Sequence, residues 1–177
     1  MKRLQKVSII INLMNRLKEK GSWCGETHIQ KSLYFLQELT KVPLEFEFIL
    51  YKHGPFSFDL RDELTAMRAD GLIENVVQPY PYGPSLNSTK SGNNIHEFFP
   101  ITTEKYSDEL SFIAKYLGDK TVAELERMGT ALYISSQSDN ENMNEKAEEI
   151  IRLKPHVNLV DARIAVQKVE EMKNNFQ

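Results

Sequence analysis

Over one short stretch the chain changes its hydrophobic period. In "EFEFILY" (Glu45 to Tyr51), Phe46, Phe48 and Leu50 fall on one side and Glu45 and Glu47 on the other. That period of two predicts a short strand. On both sides of it the period is helical. Before it, Ile10, Leu13, Met14 and Leu17 predict a first helix over Lys6 to Glu19, ended by Gly21. A second helix starts at Gly25-Glu26-Thr27, with Thr27 as its cap and Ile29, Leu33, Tyr34 and Leu36 as its stripe; Pro43 closes the connection. After the strand, Gly54-Pro55 reads as a turn. Ser57 then caps a third helix with Leu60, Leu64 and Met67 inward and Gly71 at its C′ position. An isolated strand between helices must find a partner, which confines the fold to a mixed class.

The partner is expected downstream. "LIENVV" (Leu72 to Val77) reads as a strand and "IHEFFPIT" (95–102) as its return. Between them, 78–94 is rich in Pro, Gly, Ser and Asn and predicts a long loop. Helix, helix, strand, helix, strand, loop, strand is the order of a winged helix-turn-helix. The remainder reads as helices over Glu104–Leu117, Thr121–Gln137, a segment around Ala147, Ile150, Ile151 and Leu153 stopped at Lys154-Pro155, and a last helix capped by Asn158. In that last helix Val160, Ile164 and Val169 are the inward positions. The expected class is α+β, mainly helical: a winged helix-turn-helix core over 1–103, its wing loop at about 78–94, with a helical extension over 104–177 packed on it.

Several functions are set aside. Cys24 is the only cysteine, so neither a disulfide framework nor a multi-cysteine metal site is available. No apolar run approaches the roughly 20 residues a membrane helix needs, and no leader peptide is expected, which points to the cytoplasm. His28, His53, His96 and His156 show no metal-ligand spacing, and no cofactor is called for. A Cys24–His28 nucleophile lacks an orienting third residue. Asp59, Asp62 and Glu63 read as a solvated helix face, and no glycine-rich phosphate loop is present. Catalysis is not expected.

Two binding functions remain. A winged helix commonly reads DNA with its recognition helix. Here that third helix sets Arg61 and Arg68 against Asp59, Asp62, Glu63 and Asp70; four carboxylates and two guanidiniums leave −2. The wing adds one cation, Lys90. DNA affinity comes chiefly from neutralised phosphates. A DNA-binding regulator would therefore draw on Lys2, Arg3, Arg16, Lys18 and Lys20 of the first helix, or on a dimer. A protein partner or a homodimer fits the acidic helix directly. Tyr80 and Tyr82 in "PYPYGP" are candidate anchors, with Arg61, Arg68 and Lys90 on the same candidate surface. The other reading of the two tyrosines is that their rings fold back on the domain. A further acidic stretch, Ser138 to Glu149, reads as a solvated face.

Residues 29–74 also carry a resemblance. Gln30, Lys31, Tyr34 and Phe35, then Tyr51, Gly54, Pro55 and Ser57, then Gly71, Leu72 and Ile73 form a pattern "QK..YF", "Y..GP.S", "GLI". It resembles the uncharacterised YwgA-type bacterial proteins, similar in turn to the Panacea (SocA-like antitoxin) domain. "RLKPH" (Arg152 to His156) also looks like the YwgA-type proteins. The resemblance covers about a quarter of the chain. It implies toxin neutralisation or mobile-element biology, carried out by binding proteins. On every reading, a non-enzymatic interaction module is the expectation.

Overall fold

The computed structural model describes residues 1–80, 83–137 and 142–176. It is mainly helical, with two small antiparallel sheets. The elements are α1 (Arg3–Glu19), α2 (Glu26–Glu38), β1 (Ile49–Tyr51), β2 (Gly54–Phe56), α3 (Phe58–Ala69), β3 (Ile73–Val76), β4 (Ser85–Ser88), α4 (Lys90–Asn93), α5 (Ile95–Phe98), α6 (Pro100–Lys105), α7 (Ser107–Leu117), α8 (Val122–Gln137), α9 (Met143–Leu153) and α10 (Leu159–Phe176).

α1 is the central helix. Its triplet Ile9-Ile10-Ile11 is buried together with Val7, Leu13, Met14 and Leu17, which an amphipathic surface helix would not allow. α7 packs on α1 and α2, α8 on α2 and β2, and α9 and α10 on α8. One continuous apolar cluster runs from Val7 to Met172. No helix among the described residues is long and apolar enough to cross a membrane.

Several local expectations hold. Ser57 caps α3 by accepting from the Leu60 N–H at 3.2 Å, and Leu60, Leu64 and Met67 are buried. Gly71 ends α3 with φ +69°. Asn158 accepts from the Asp161 N–H at the start of α10.

Others are corrected. The second helix begins one turn's edge earlier, with Gly25 at the N-cap in place of Thr27. The strand expected over 46–51 is paired only from Ile49, and Gly54-Pro55 lies inside β2; the turn is Lys52-His53. The return strand is Ser85–Ser88, within the segment expected as loop, and 95–102 is helical. Thr89 decides this. Its N–H bonds to Leu72 O, closing the β3–β4 sheet, and its Oγ1 accepts from the Gly92 N–H to start α4. Pro100, at the first turn of α6, suits a helix start and would disrupt a paired strand. The helix expected over Glu104–Leu117 is two, breaking at Tyr106. On α10, Val160 and Ile164 face outward; Ala162, Ala165, Val166 and Met172 join Val169 inside, because small alanines let α10 approach its neighbours closely.

Candidate interaction site

The site is the β1–β2 hairpin. Its register pairs Ile49 with Phe56, Leu50 with Pro55 and Tyr51 with Gly54. Gly54 has φ +84°, and a Cβ there would meet Glu126 O at 3.2 Å and Lys31 Cε at 3.3 Å. Both backbone and space therefore call for glycine. Gly129 of α8 does the complementary job: a Cβ on it would come within 3.0 Å of Pro55 Cδ.

α2 holds the hairpin by both legs. The Gln37 amide donates to Phe46 O and accepts from the Phe46 N–H, both at 2.9 Å. One helical stretch earlier, Gln30 donates to Ser57 O at 2.9 Å and accepts from the Ser57 N–H at 3.0 Å. Each glutamine thus satisfies both main-chain groups of one residue, as a neighbouring strand would. Lys31 donates to Pro55 O at 2.7 Å. From the far end of α9, Lys154 donates to both Tyr51 O and Lys52 O at 2.6 Å. Charge-assisted bonds of this kind are the stronger class.

Behind the turn lies a buried carboxylate. Glu126 of α8 has Oε1 3.1 Å from His156 Nε2 and Oε2 3.5 Å from His53 Nδ1. The His156 contact is an ion-pair distance without hydrogen-bond direction, since Oε1 has no hydrogen-bond partner among the described residues. The two imidazole side chains are over 60% exposed and cover the carboxylate from solvent. Burial lowers Lys31 to about 8, with Glu126 acting against that shift. Burial also lowers Lys154, again opposed by Glu126. The stretches "QK", "YKHGP" and "RLKPH" therefore meet in space around Glu126. Among the described residues, no group of three or more His, Cys, Asp or Glu is arranged to hold a metal.

The hairpin's other face is aromatic. Ile49 and Tyr51 project outward opposite Phe56 and Gly54, and Phe58 follows at the start of α3. Ring centroids lie 5.8 Å apart for Tyr51–Phe56, 6.0 Å for Tyr51–Phe58 and 5.1 Å for Phe56–Phe58. The Arg61 guanidinium sits 5.1 Å above the Phe58 ring. Tyr51 is 54% exposed and Phe58 43%.

The other candidates are dispersed. Tyr80 is almost fully exposed, Lys90 opens α4, and Tyr82 lies outside the described residues. Arg68 bonds Thr65 and Asn75. Arg3 is paired with Glu63 of α3 and with Asp70 at its C-cap, which raises its guanidinium further. Arg16 is spent on Ser107 and Asn12, and Lys18 on Asn87. Lys2 and Lys20 are exposed but sit at opposite ends of a 17-residue helix, about 25 Å apart. Cys24 is buried, its Sγ–H donates to Met14 O, and burial raises its thiol. His28 lies between Ser22 and the Leu117 carbonyl, and burial lowers it.

No family model matches the chain, and no curated protein matches it.

Glu126, Lys154 and His156 were absent from the candidates drawn from the sequence. Lys154 and His156 stood in the quoted "RLKPH". The signal for Glu126 was its spacing to Gly129 and Tyr133 on one helix face, beside the stripe of Leu125, Met128 and Leu132.

Proposed function

We propose that the protein is a non-enzymatic, cytoplasmic winged-helix module that binds a protein partner, as an antitoxin-like or adaptor protein, through the aromatic face of the β1–β2 hairpin. The observation that carries this is Tyr51, Phe56, Phe58 and Arg61 presented together by the clamped hairpin and the first turn of α3. Tyr and Arg are enriched among the residues that dominate binding energy. Rigid presentation reduces the ordering cost of binding. The winged-helix reading is supported by Gly25, which forms a single antiparallel bridge to Ser85 of β4 while the Leu86 N–H bonds Cys24 O. That lays the residues before α2 along β4 of the β3–β4 sheet that follows α3. The resemblance to YwgA-type and Panacea proteins supports the antitoxin-like reading.

The test is affinity capture from the source cells with and without nuclease. The expected result is a nuclease-resistant protein partner that is lost with Tyr51→Ala and Arg61→Ala. Tight, salt-sensitive binding to a defined duplex, with no such partner, sinks the reading. The same Gly25–Ser85 arrangement favours a second reading, a dimeric DNA-binding regulator using the α1 cations and Lys90. It predicts that substituting Lys2, Arg3, Arg16, Lys18 and Lys20 lowers duplex affinity and flattens its salt dependence.

A further inference from the structure

β1 has an open edge. Pro55 has no N–H, so Leu50–Pro55 cannot be a pair that exchanges two hydrogen bonds. Those exchanges fall to Ile49–Phe56 and Tyr51–Gly54, the alternate pairs of an antiparallel ladder. The Leu50 N–H and C=O therefore point away from β2, and no described residue bonds either of them.

A groove of about 490 Å³ runs beside this edge. Its apolar lining comes from Leu50, Tyr133, Ile134 and Leu153. Its outer rim is α9, with Glu145 and Glu149 on the groove and Glu148 exposed next to them. Lys146 also lines the groove, with its Nζ on Glu170 of α10 at 2.8 Å. Arg152 bonds Glu149, and the three glutamates of α9 (Glu145, Glu148, Glu149) against its two cations (Lys146, Arg152) leave a formal charge of −1. The rim is acidic over an apolar floor.

We infer that the β1 edge and this groove receive an extended segment of the partner protein that alternates apolar and basic residues, added as a strand beside β1. This rests on the protein-binding reading and names the partner's chemistry. Strand addition draws affinity from main-chain hydrogen bonds and specificity from pockets for alternate side chains. Here the main-chain partners are the two open groups of Leu50. Side chains on the Leu50 side enter the groove, and Lys or Arg meets the carboxylates of α9. Side chains on the other side extend the surface of Ile49 and Tyr51, so edge and aromatic face form one docking surface. The acidic stretch of α9 thereby acquires a role beyond solvation.

The experiment is selection of random eight-residue peptides displayed on phage against the immobilised full chain. The consensus peptide is then synthesised for fluorescence anisotropy and amide chemical-shift mapping. The expected consensus alternates apolar and Lys/Arg residues and moves the Leu50 amide. N-methylating the peptide nitrogen opposite Leu50 weakens binding at least about tenfold, as losing a main-chain bond would. The double substitution E145K/E148K, on exposed positions, weakens it about tenfold and shifts selection toward acidic peptides. Peptides that leave the Leu50 amide unmoved, or tolerate the N-methyl group, overturn the inference. Peptides docking on Tyr51 and Phe58 alone overturn the groove and leave the interaction reading standing. So does a captured partner with no selectable peptide, or occupation of the groove by a second copy of this chain. No peptide and no partner overturns both.

Discussion

Gln30 and Ser57 exchange two hydrogen bonds, side-chain amide to main chain, at 2.9 and 3.0 Å, both inside the core. This pair joins α2 to the residue that ends the hairpin and caps α3. Gln30→Ala would orphan a buried N–H and a buried C=O. Each unsatisfied group costs 1–3 kcal/mol, so a loss of about 3 kcal/mol is expected. Urea unfolding measures it. Gln37→Ala, acting on Phe46 at a part-buried position, should cost less. Equal losses at the two positions would contradict the burial argument.

The two glycines of the site separate backbone strain from space. Gly54→Ala forces a Cβ onto φ +84° against Glu126 O and Lys31. About 2 kcal/mol of destabilisation is expected, from left-handed strain of 1–2 kcal/mol plus the tight contact. Gly129→Ala should stay within about 1 kcal/mol, because the helix gains up to about 1 kcal/mol of propensity against the contact with Pro55. Amide hydrogen exchange distinguishes them further. The alanine at 129 pushes the hairpin outward, so exchange at Ile49 and Tyr51, the bonded amides of β1, should accelerate while α8 stays protected.

Lys31 makes stability depend on pH in a direction opposite to a paired surface lysine. Burial lowers it from 10.5 to about 8 in the folded chain. Below about pH 8 both states carry the charge, and the folded state bears the desolvation cost. Between about 8 and 10.5 the unfolded chain holds the proton and the folded chain does not, so stability rises with pH. The rise is about 3 kcal/mol at 1.4 kcal/mol per unit. Lys154, lowered by burial, acts in the same direction, and Tyr34, raised by burial, acts against it. The difference between wild type and Lys31→Met isolates Lys31. Measured at pH 7, 8.5 and 10, the wild-type urea midpoint should rise relative to that of Lys31→Met; a constant difference between the two contradicts the lowered Lys31.

What was legible in the sequence was local. The Ser57 cap, the Gly71 terminus and the α3 stripe depend on neighbours within one turn. The hairpin was not legible. Gly54-Pro55 looks like punctuation, yet the strand there is stabilised by Gln30 and Lys31, more than 20 residues earlier. Residues 95–102 carry aromatic, strand-like composition, but Thr89 and Pro100 commit them to helices. On α10, Val160 and Ile164 drew attention by size, whereas close packing selected Ala162 and Ala165. Of the site, Gln30, Lys31, Tyr51, Gly54, Pro55 and Ser57 were visible as a motif. Glu126, which ties that motif to His156, reads in isolation as one more surface carboxylate on a helix.

The aromatic face should be nearly silent for folding. Tyr51 and Phe58 are about half exposed, and their outward rings rest on each other and on Phe56 and Arg61. Exposed aromatic and cation–π contacts contribute on the order of 0.5–1.5 kcal/mol each. Tyr51→Ala and Phe58→Ala should therefore each lower stability by about 1 kcal/mol or less, measured by urea unfolding. By contrast Leu60→Ala, fully buried two residues further on, should cost about 3 kcal/mol through the cavity it leaves. A loss near 3 kcal/mol for Tyr51→Ala would make the ring a structural element of the hairpin. A small loss means that four contacting side chains of interface type are held outward with little benefit to the fold. That combination is what a docking face requires, and it gives partner-binding measurements on these variants a stable folded background.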